Sequence, residues 1–288
     1  MLKNKIKTSY GIFKKGNLDY LFKVLLRKIK RGFGLGSLPD FLIIGATKGG
    51  TTSVYHTLTQ HPDVLSSTKK EIQYFTLHFD ENLSWYKSYF PSFKKIRGKI
   101  TGEASPYYLF HPLAPERIHK LSPEVKLIVL LRNPVDRAFS HYVHNIDHGQ
   151  EKLESFEEAI EAEEKRISKD VQKVLNGEYS FDHHKHTYLS RGEYAKQLER
   201  WFKYYGRENF LIIKSRDLFL NPQQEYKKMF DFLGIKQYDV GGLRTLDINK
   251  TDYKKRKIKE STRGRLVNYF KPYNEELYGV IGKDFHWE

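Results

Sequence analysis

Gly45-Ala46-Thr47-Lys48-Gly49-Gly50-Thr51-Thr52 follows directly on the apolar run Phe41-Leu42-Ile43-Ile44 and precedes a helical pattern. A glycine-rich turn at a strand end lets successive backbone N–H groups converge on a phosphate, and the helix that follows adds its positive N-terminal end. The position of the lysine separates this turn from the nucleotide-kinase pattern G-x-x-x-x-G-K-[ST], in which lysine follows the second glycine and the next hydroxyl holds Mg²⁺. Here Thr51 stands in that slot and Lys48 comes three residues after the first glycine. The reading is a turn for one terminal phosphate, with a group other than a phosphoryl beside it.

Working outward, Phe41 to Ile44, Lys99 to Gly102, Val125 to Leu131 and Phe210 to Lys214 read as short buried strands. Thr52 to Gln60, Leu83 to Phe90, Pro115 to Leu121, Pro134 to His148, Phe156 to Lys165, Tyr194 to Tyr205 and Pro222 to Leu233 carry apolar residues at helical spacing. Strands alternating with helices imply an α/β fold: a parallel, P-loop-like sheet with helices on both faces, ligands gathering at the carboxyl ends of the strands. Lys48, Glu103 and Arg132 then share one edge. No internal repeat, proline-rich linker or long polar tract divides the chain, so residues 38–288 are expected to form one domain behind a basic leader, residues 1–37.

The run Val125 to Leu131 ends in Arg132-Asn133-Pro134. A nucleotide-hydrolysing P-loop protein would place an Asp for Mg²⁺ at the end of such a strand. Arg132, with Ser140 two turns into the next helix, instead suits a second and separate phosphate, because a guanidinium grips phosphate through a bidentate fork. Two isolated phosphate sites without a metal carboxylate fit a nucleotide phosphorylated at both 3′ and 5′ positions.

Composition sets the bounds. The chain has 288 residues, a formal charge of +15, 39% hydrophobic and 15% aromatic residues, and no cysteine. That is enough for a sizeable core, and it points to anionic partners while excluding disulfides and thiolate metal sites. The apolar stretch Tyr20 to Leu26 is interrupted by Lys23 and too short for a membrane span. Residues 17–31 have the pattern of a basic amphipathic helix, able to lie on an anionic membrane or to pack on the body of the protein. The expectation is a cytoplasmic protein with peripheral membrane contact as an option and no specific nucleic-acid partner.

Ile43 to Thr52 resembles the 5′-phosphosulfate loop of sulfotransferases that use 3′-phosphoadenosine 5′-phosphosulfate, and Leu131 to Ser140 is similar to their 3′-phosphate motif. Lys70-Glu71-Ile72-Gln73-Tyr74-Phe75, Gly102-Glu103-Ala104-Ser105-Pro106-Tyr107-Tyr108 and the closing Asn268-Tyr269-Phe270 to Phe285-His286-Trp287 resemble the heparan sulfate 3-O- and N-sulfotransferases and their bacterial relatives. The likeness runs from about Pro39 to the C-terminus. It implies in-line transfer of a sulfuryl group to a hydroxyl or amine of a carbohydrate-type acceptor, with no metal. Carried over residue by residue, Glu103 is the general base and Lys48 offsets charge on the sulfuryl group and the departing oxygen. Gly49, Gly50, Thr51 and Thr52 hold the 5′-phosphate, Arg132 and Ser140 the 3′-phosphate, and Lys250 and Lys254 close on the nucleotide. Lys70, Glu71 and His144 are candidate acceptor contacts.

The histidine base and the C-terminal R-K-G segment of small-molecule sulfotransferases have no obvious match, nor does the disulfide of the Golgi heparan enzymes. Alternatives to this reading are a P-loop nucleotide kinase, a sulfotransferase for a small metabolite or lipid, and a non-catalytic nucleic-acid or membrane binder. Asp182-His183-His184-Lys185-His186 follows no zinc spacing and reads as a solvated loop.

Overall fold

The computed structural model describes residues 16–92, 98–241 and 256–287, with backbone alone for residues 16–20 and 23. Lys250 and Lys254 lie outside the described residues. The elements that build the site are α1 (Gly16–Gly32), β1 (Phe41–Gly45), α2 (Thr51–Leu58), β2 (Val64–Ser66), α3 (Leu83–Lys87), β3 (Ile100–Ala104), β4 (Lys126–Leu131), α4 (Pro134–Asp147), α5 (Tyr194–Phe202), β5 (Phe210–Lys214), α6 (Pro222–Leu233) and α7 (Glu260–Ile281).

The five strands form one sheet in the order β2-β3-β1-β4-β5, every neighbouring pair parallel. The chain leaves β1 for one side of the sheet and later crosses to the other, so the C-terminal end of β1 is the switch point at which such sheets form a crevice. Alternation along the strands assigns the two faces. Phe41, Ile43, Ile128, Leu130 and Ile213 pack with Val54 and Leu58 of α2 and with Met229, Phe230 and Leu233 of α6. Leu42, Ile44, Leu127, Val129 and Leu131 pack on the opposite side with Leu198 and Trp201 of α5, Leu277 of α7, and the aromatic group around Tyr86 and Phe90. A third cluster joins α4 and α7 through Val135, Ala138, Tyr142, Leu266 and Phe270. Strands packed on both faces read as continuous apolar runs, which is why β1, β4 and β5 are plain in the sequence, while β3, Ile100-Thr101-Gly102-Glu103-Ala104, interrupts that pattern. β2 has only three residues and gives no such run.

Two expected elements differ. The helix expected over Phe156 to Lys165 is interrupted at Ala162 into Phe156–Glu161 and Glu163–Ser168. Glu163 turns inward there, accepting the backbone N–H groups of Tyr188, Leu189 and Ser190 at 2.6–2.9 Å. The expected solvated loop at Asp182 to His186 is instead the short helix Phe181–Lys185, with His183 and His186 buried. His183 faces the hydroxyl of Tyr107 at 2.6 Å and His186 faces Asp182 at 2.6 Å. These partners take up the polar groups that water would otherwise serve.

The turn after β1 is clamped by backbone. The Gly49 N–H donates to the Ala46 carbonyl at 2.8 Å, and the Ser215 hydroxyl, just past β5, donates to the Gly49 carbonyl at 2.7 Å. A Cβ on Gly49 would stand 2.4 Å from the Leu130 carbonyl oxygen of β4. Neither backbone can yield, so Gly49→Ala is expected to cost about 1–3 kcal/mol. For a domain of this size that is a fall in Tm of about 2–4 °C per kcal/mol, readable in a thermal melt; an unchanged Tm would mean that the turn is not pressed on β4.

Candidate active site

The turn carries Lys48 at φ 69° and Gly50 at φ 94°, so two of three consecutive residues are left-handed. Gly50 adopts that conformation freely, whereas Lys48 holds it at a cost of about 1–3 kcal/mol. The left-handed pair turns the chain into α2, which Gly50 caps and Thr51 and Thr52 begin. Gly50 caps α2 without a side chain, which leaves the first amides of the helix for a ligand.

Two cavities open on this edge and share Lys48 and Gly50 in their walls. The larger, about 580 Å³, is also bordered by Gly49, Arg132, Lys214, Arg216 and Arg263. Five cations against one acid, Asp136, make it a receptor for an anion, and its volume suits a nucleotide. Arg132 reaches back to the turn, its Nη1 3.4 Å from the Lys48 carbonyl, and its own carbonyl accepts the Tyr194 hydroxyl at 2.8 Å. Asp136 pairs with Arg263 at 2.9 Å, and Lys214 also donates to the Phe285 carbonyl. Ser140 is fully buried on α4 and is absent from the lining of both cavities.

The smaller cavity, about 150 Å³, is bordered by Thr47, Thr51, Thr52, Glu71, Pro106, His144, His184, Lys185 and Arg191 among others, and Glu71 is its one carboxylate. Glu71 sits at φ 56°, its carboxylate 2.6 Å from the Lys70 ammonium and half exposed. Arg191, wholly buried, braces the turn by donating to the Thr47 hydroxyl at 2.8 Å and lies over the rings of Tyr107 and Phe110. Burial pushes its guanidinium down to about 10, which leaves it charged at neutral pH.

Glu103 is elsewhere. The structure holds it on β3 with no exposed surface, and it lines neither cavity. Its carboxylate accepts the hydroxyls of Tyr86 at 2.7 Å, Tyr108 at 3.0 Å and Ser105 at 2.7 Å. Burial raises its pKa, and those hydroxyls with the Ile72 amide pull the other way. A carboxylate enclosed by three donors is a structural tie between β3, α3 and the segment that carries Glu71. The expected grouping of Lys48, Glu103 and Arg132 on one edge of the sheet is met, since Glu103 lies at the C-terminal end of β3, but of the two glutamates it is Glu71 that lines the cavity.

The chain matches the family model described as Sulfotransferase domain over residues 38–267, and it belongs to that family. It is an enzyme of the sulfotransferase class, whose members draw on 3′-phosphoadenosine 5′-phosphosulfate, and it is distantly related to the heparan sulfate 3-O-sulfotransferases. Among its relatives is human heparan sulfate glucosamine 3-O-sulfotransferase 6, 29% identical over 89% of this chain and 75% of that protein. Another is the membrane-associated sulfotransferase kil1 of Dictyostelium discoideum, 27% identical over 87% of this chain and 67% of its own length. A crystal structure of a sulfotransferase from Alicyclobacillus acidocaldarius superposes with a TM-score of 0.69 at 28% identity, covering 86% of this chain and 98% of that one.

Arg191, Lys185, Lys214, Arg216 and Arg263 are site residues that the sequence expectations do not include. Lys214 was legible in the sequence, since it ends β5 opposite Leu131, the last residue of β4 before Arg132, and so falls on the same edge. Arg191 lies in the three-residue turn Ser190–Gly192, and no local pattern marks it.

Histidines around the smaller cavity stay neutral. Burial lowers His184 to about 2 and His183 to about 3, and burial together with Lys48 and His148 lowers His144 to about 4. His111, behind Tyr107, is lowered by burial to about 3. A folded-state pKa below the unfolded value means that the unfolded chain binds more protons, so this stability is present above about pH 6.5 and is lost as the pH falls. Denaturant melts between about pH 6.5 and pH 5 are expected to lose up to about 1.4 kcal/mol per pH unit for each buried histidine that titrates fully in the unfolded chain. A flat profile across that window would contradict the buried, neutral assignment.

Proposed function

We propose that the chain transfers a sulfuryl group from 3′-phosphoadenosine 5′-phosphosulfate to a hydroxyl, or an amine, of a carbohydrate-type acceptor, with Glu71 rather than Glu103 as the base. The observation that carries this reading is the pair of cavities meeting at Lys48 and Gly50, one cationic and nucleotide-sized, the other with a single carboxylate. Residues 38–288 act as the catalytic domain and residues 1–37 as a separate basic leader.

The turn amides, Thr51 and Thr52 hold the 5′-phosphate at the start of α2, while Arg132, helped by Arg216 and Arg263, holds the 3′-phosphate at the far end of the larger cavity. Lys48, common to both cavities, faces the bond to be broken. It offsets negative charge that builds on the bridging oxygen as the S–O bond to phosphate lengthens. Glu71 takes the proton from the acceptor as its oxygen bonds to sulfur, and the nucleotide leaves as the 3′,5′-bisphosphate. Lys70 fixes the Glu71 carboxylate by their contact at 2.6 Å. No step calls on a metal.

A carbohydrate acceptor is favoured by the polar walls of the smaller cavity. Thr47, Thr52, Gln73, His144 and Asn145 bring hydroxyl, amide and imidazole groups to its lining. Such groups suit a polyhydroxylated ligand better than an apolar one. Lys185, with Lys48, makes the same wall cationic, which suits an acidic sugar.

With radiolabelled donor and an unsulfated glycan, Glu71→Gln is expected to lower kcat about 10²–10⁴-fold while leaving the donor KM unchanged. Glu103→Gln is expected to lower Tm, because an amide nitrogen replaces an acceptor among three hydroxyl donors, yet to keep the turnover of the folded fraction. The reverse pattern would return the base role to Glu103. Label passing to a lipid alcohol or a tyrosyl peptide in preference to every glycan offered would overturn the acceptor class.

A further inference from the structure

Helix α1 lies on the protein the opposite way round from an ordinary amphipathic helix. Three of its basic side chains reach the body of the protein: Lys30 Nζ donates to the Phe90 carbonyl at 3.0 Å, the Arg27 guanidinium sits 4.5 Å over the Tyr89 ring, and Arg31 pairs with Glu81 at 2.8 Å. These contacts pin the helix beside α3. Its apolar side faces out, with Leu21, Phe22 and Leu25 exposed by 50%, 59% and 57%, and Leu26 and Ile29 nearly as much. Phe33 and Leu35, just past the helix, are exposed too. Large residues at i, i+1, i+4, i+5 and i+8 on one open stripe leave apolar area in water that an isolated soluble protein rarely shows.

We infer that this stripe is a membrane-docking surface and that its partner is an anionic bilayer, into whose interface α1 lays Leu21, Phe22, Leu25 and Ile29. Charge decides the occupant. Residues 1–37 carry ten Lys and Arg against one Asp, and five of those lysines fall in residues 1–15, where there is no acid. A second copy covering the stripe would bring two such leaders together, and their like charges would repel. Anionic headgroups instead gain from the same charge. The helix lies on the bilayer rather than across it, since no helix among the described residues is long and apolar enough to span. Leu83 of α3, on the element against which α1 packs, is also exposed and extends the apolar character of this side.

Vesicle sedimentation tests the inference without reading turnover, so it stands or falls apart from the acceptor assignment. The full chain is expected to pellet with vesicles of equal parts phosphatidylcholine and phosphatidylglycerol, and to remain largely in solution with phosphatidylcholine alone. The double variant Phe22→Ser, Leu25→Ser is expected to partition about tenfold less onto the anionic vesicles, with unchanged Tm and unchanged turnover on a soluble acceptor. The inference is overturned if the full chain stays in solution with anionic vesicles, or if the double variant pellets as well as the parent. It is also overturned if sedimentation equilibrium shows a dimer that the double variant loses, since a second copy then covers the stripe.

Discussion

The contact on which the rest of the site depends is the close seating of the Gly45–Thr52 turn against the ends of β4 and β5. Gly49 leaves no room for a side chain beneath the Leu130 carbonyl, and the Ser215 hydroxyl holds the Gly49 carbonyl from the other strand. With the backbone fixed there, Lys48 is forced into the left-handed region and projects between the two cavities. The same seating aligns the start of α2 with Arg132. The positions of Lys48, the α2 amides and Arg132 therefore follow from sheet topology, not from flexible loops.

A second tie sets the other wall. Glu103 is buried beneath three hydroxyls and joins β3 to the α3 segment. Its neighbour in this arrangement is the stretch that starts at Lys70, where Glu71 and Gln73 both have positive φ. That irregular backbone presents Glu71 to the cavity. The buried carboxylate thus supports the segment that carries the exposed one, and solvent access separates the two acids.

Much of this was legible in the sequence, and the exceptions have physical reasons. Strands buried on both faces announce themselves as apolar runs, and the glycine turn and Arg132 carry their chemistry in residue type and order. The choice between Glu71 and Glu103 is different. Each is a glutamate in a segment rich in aromatic residues, and only burial distinguishes them, which depends on the hydroxyls of Tyr86 and Tyr108 arriving from distant positions. The cations Arg191, Arg216 and Arg263 likewise meet the site by tertiary packing. For α1, periodicity revealed that the helix has two faces but could not say which one docks. Specific contacts of Lys30, Arg27 and Arg31 decide it, against the general tendency of apolar stripes to turn inward.

The central claim is that Lys48 and Arg132 hold opposite ends of one doubly phosphorylated nucleotide. Thermal denaturation in the presence of 3′-phosphoadenosine 5′-phosphate, compared with AMP and with magnesium ATP, tests it directly. At about 100-fold excess over its dissociation constant the bisphosphate should stabilise the protein by about 2.7 kcal/mol, and Arg132→Ala should reduce it to the level of AMP. Equal stabilisation by AMP and the bisphosphate, or a larger effect of magnesium ATP, would contradict the account.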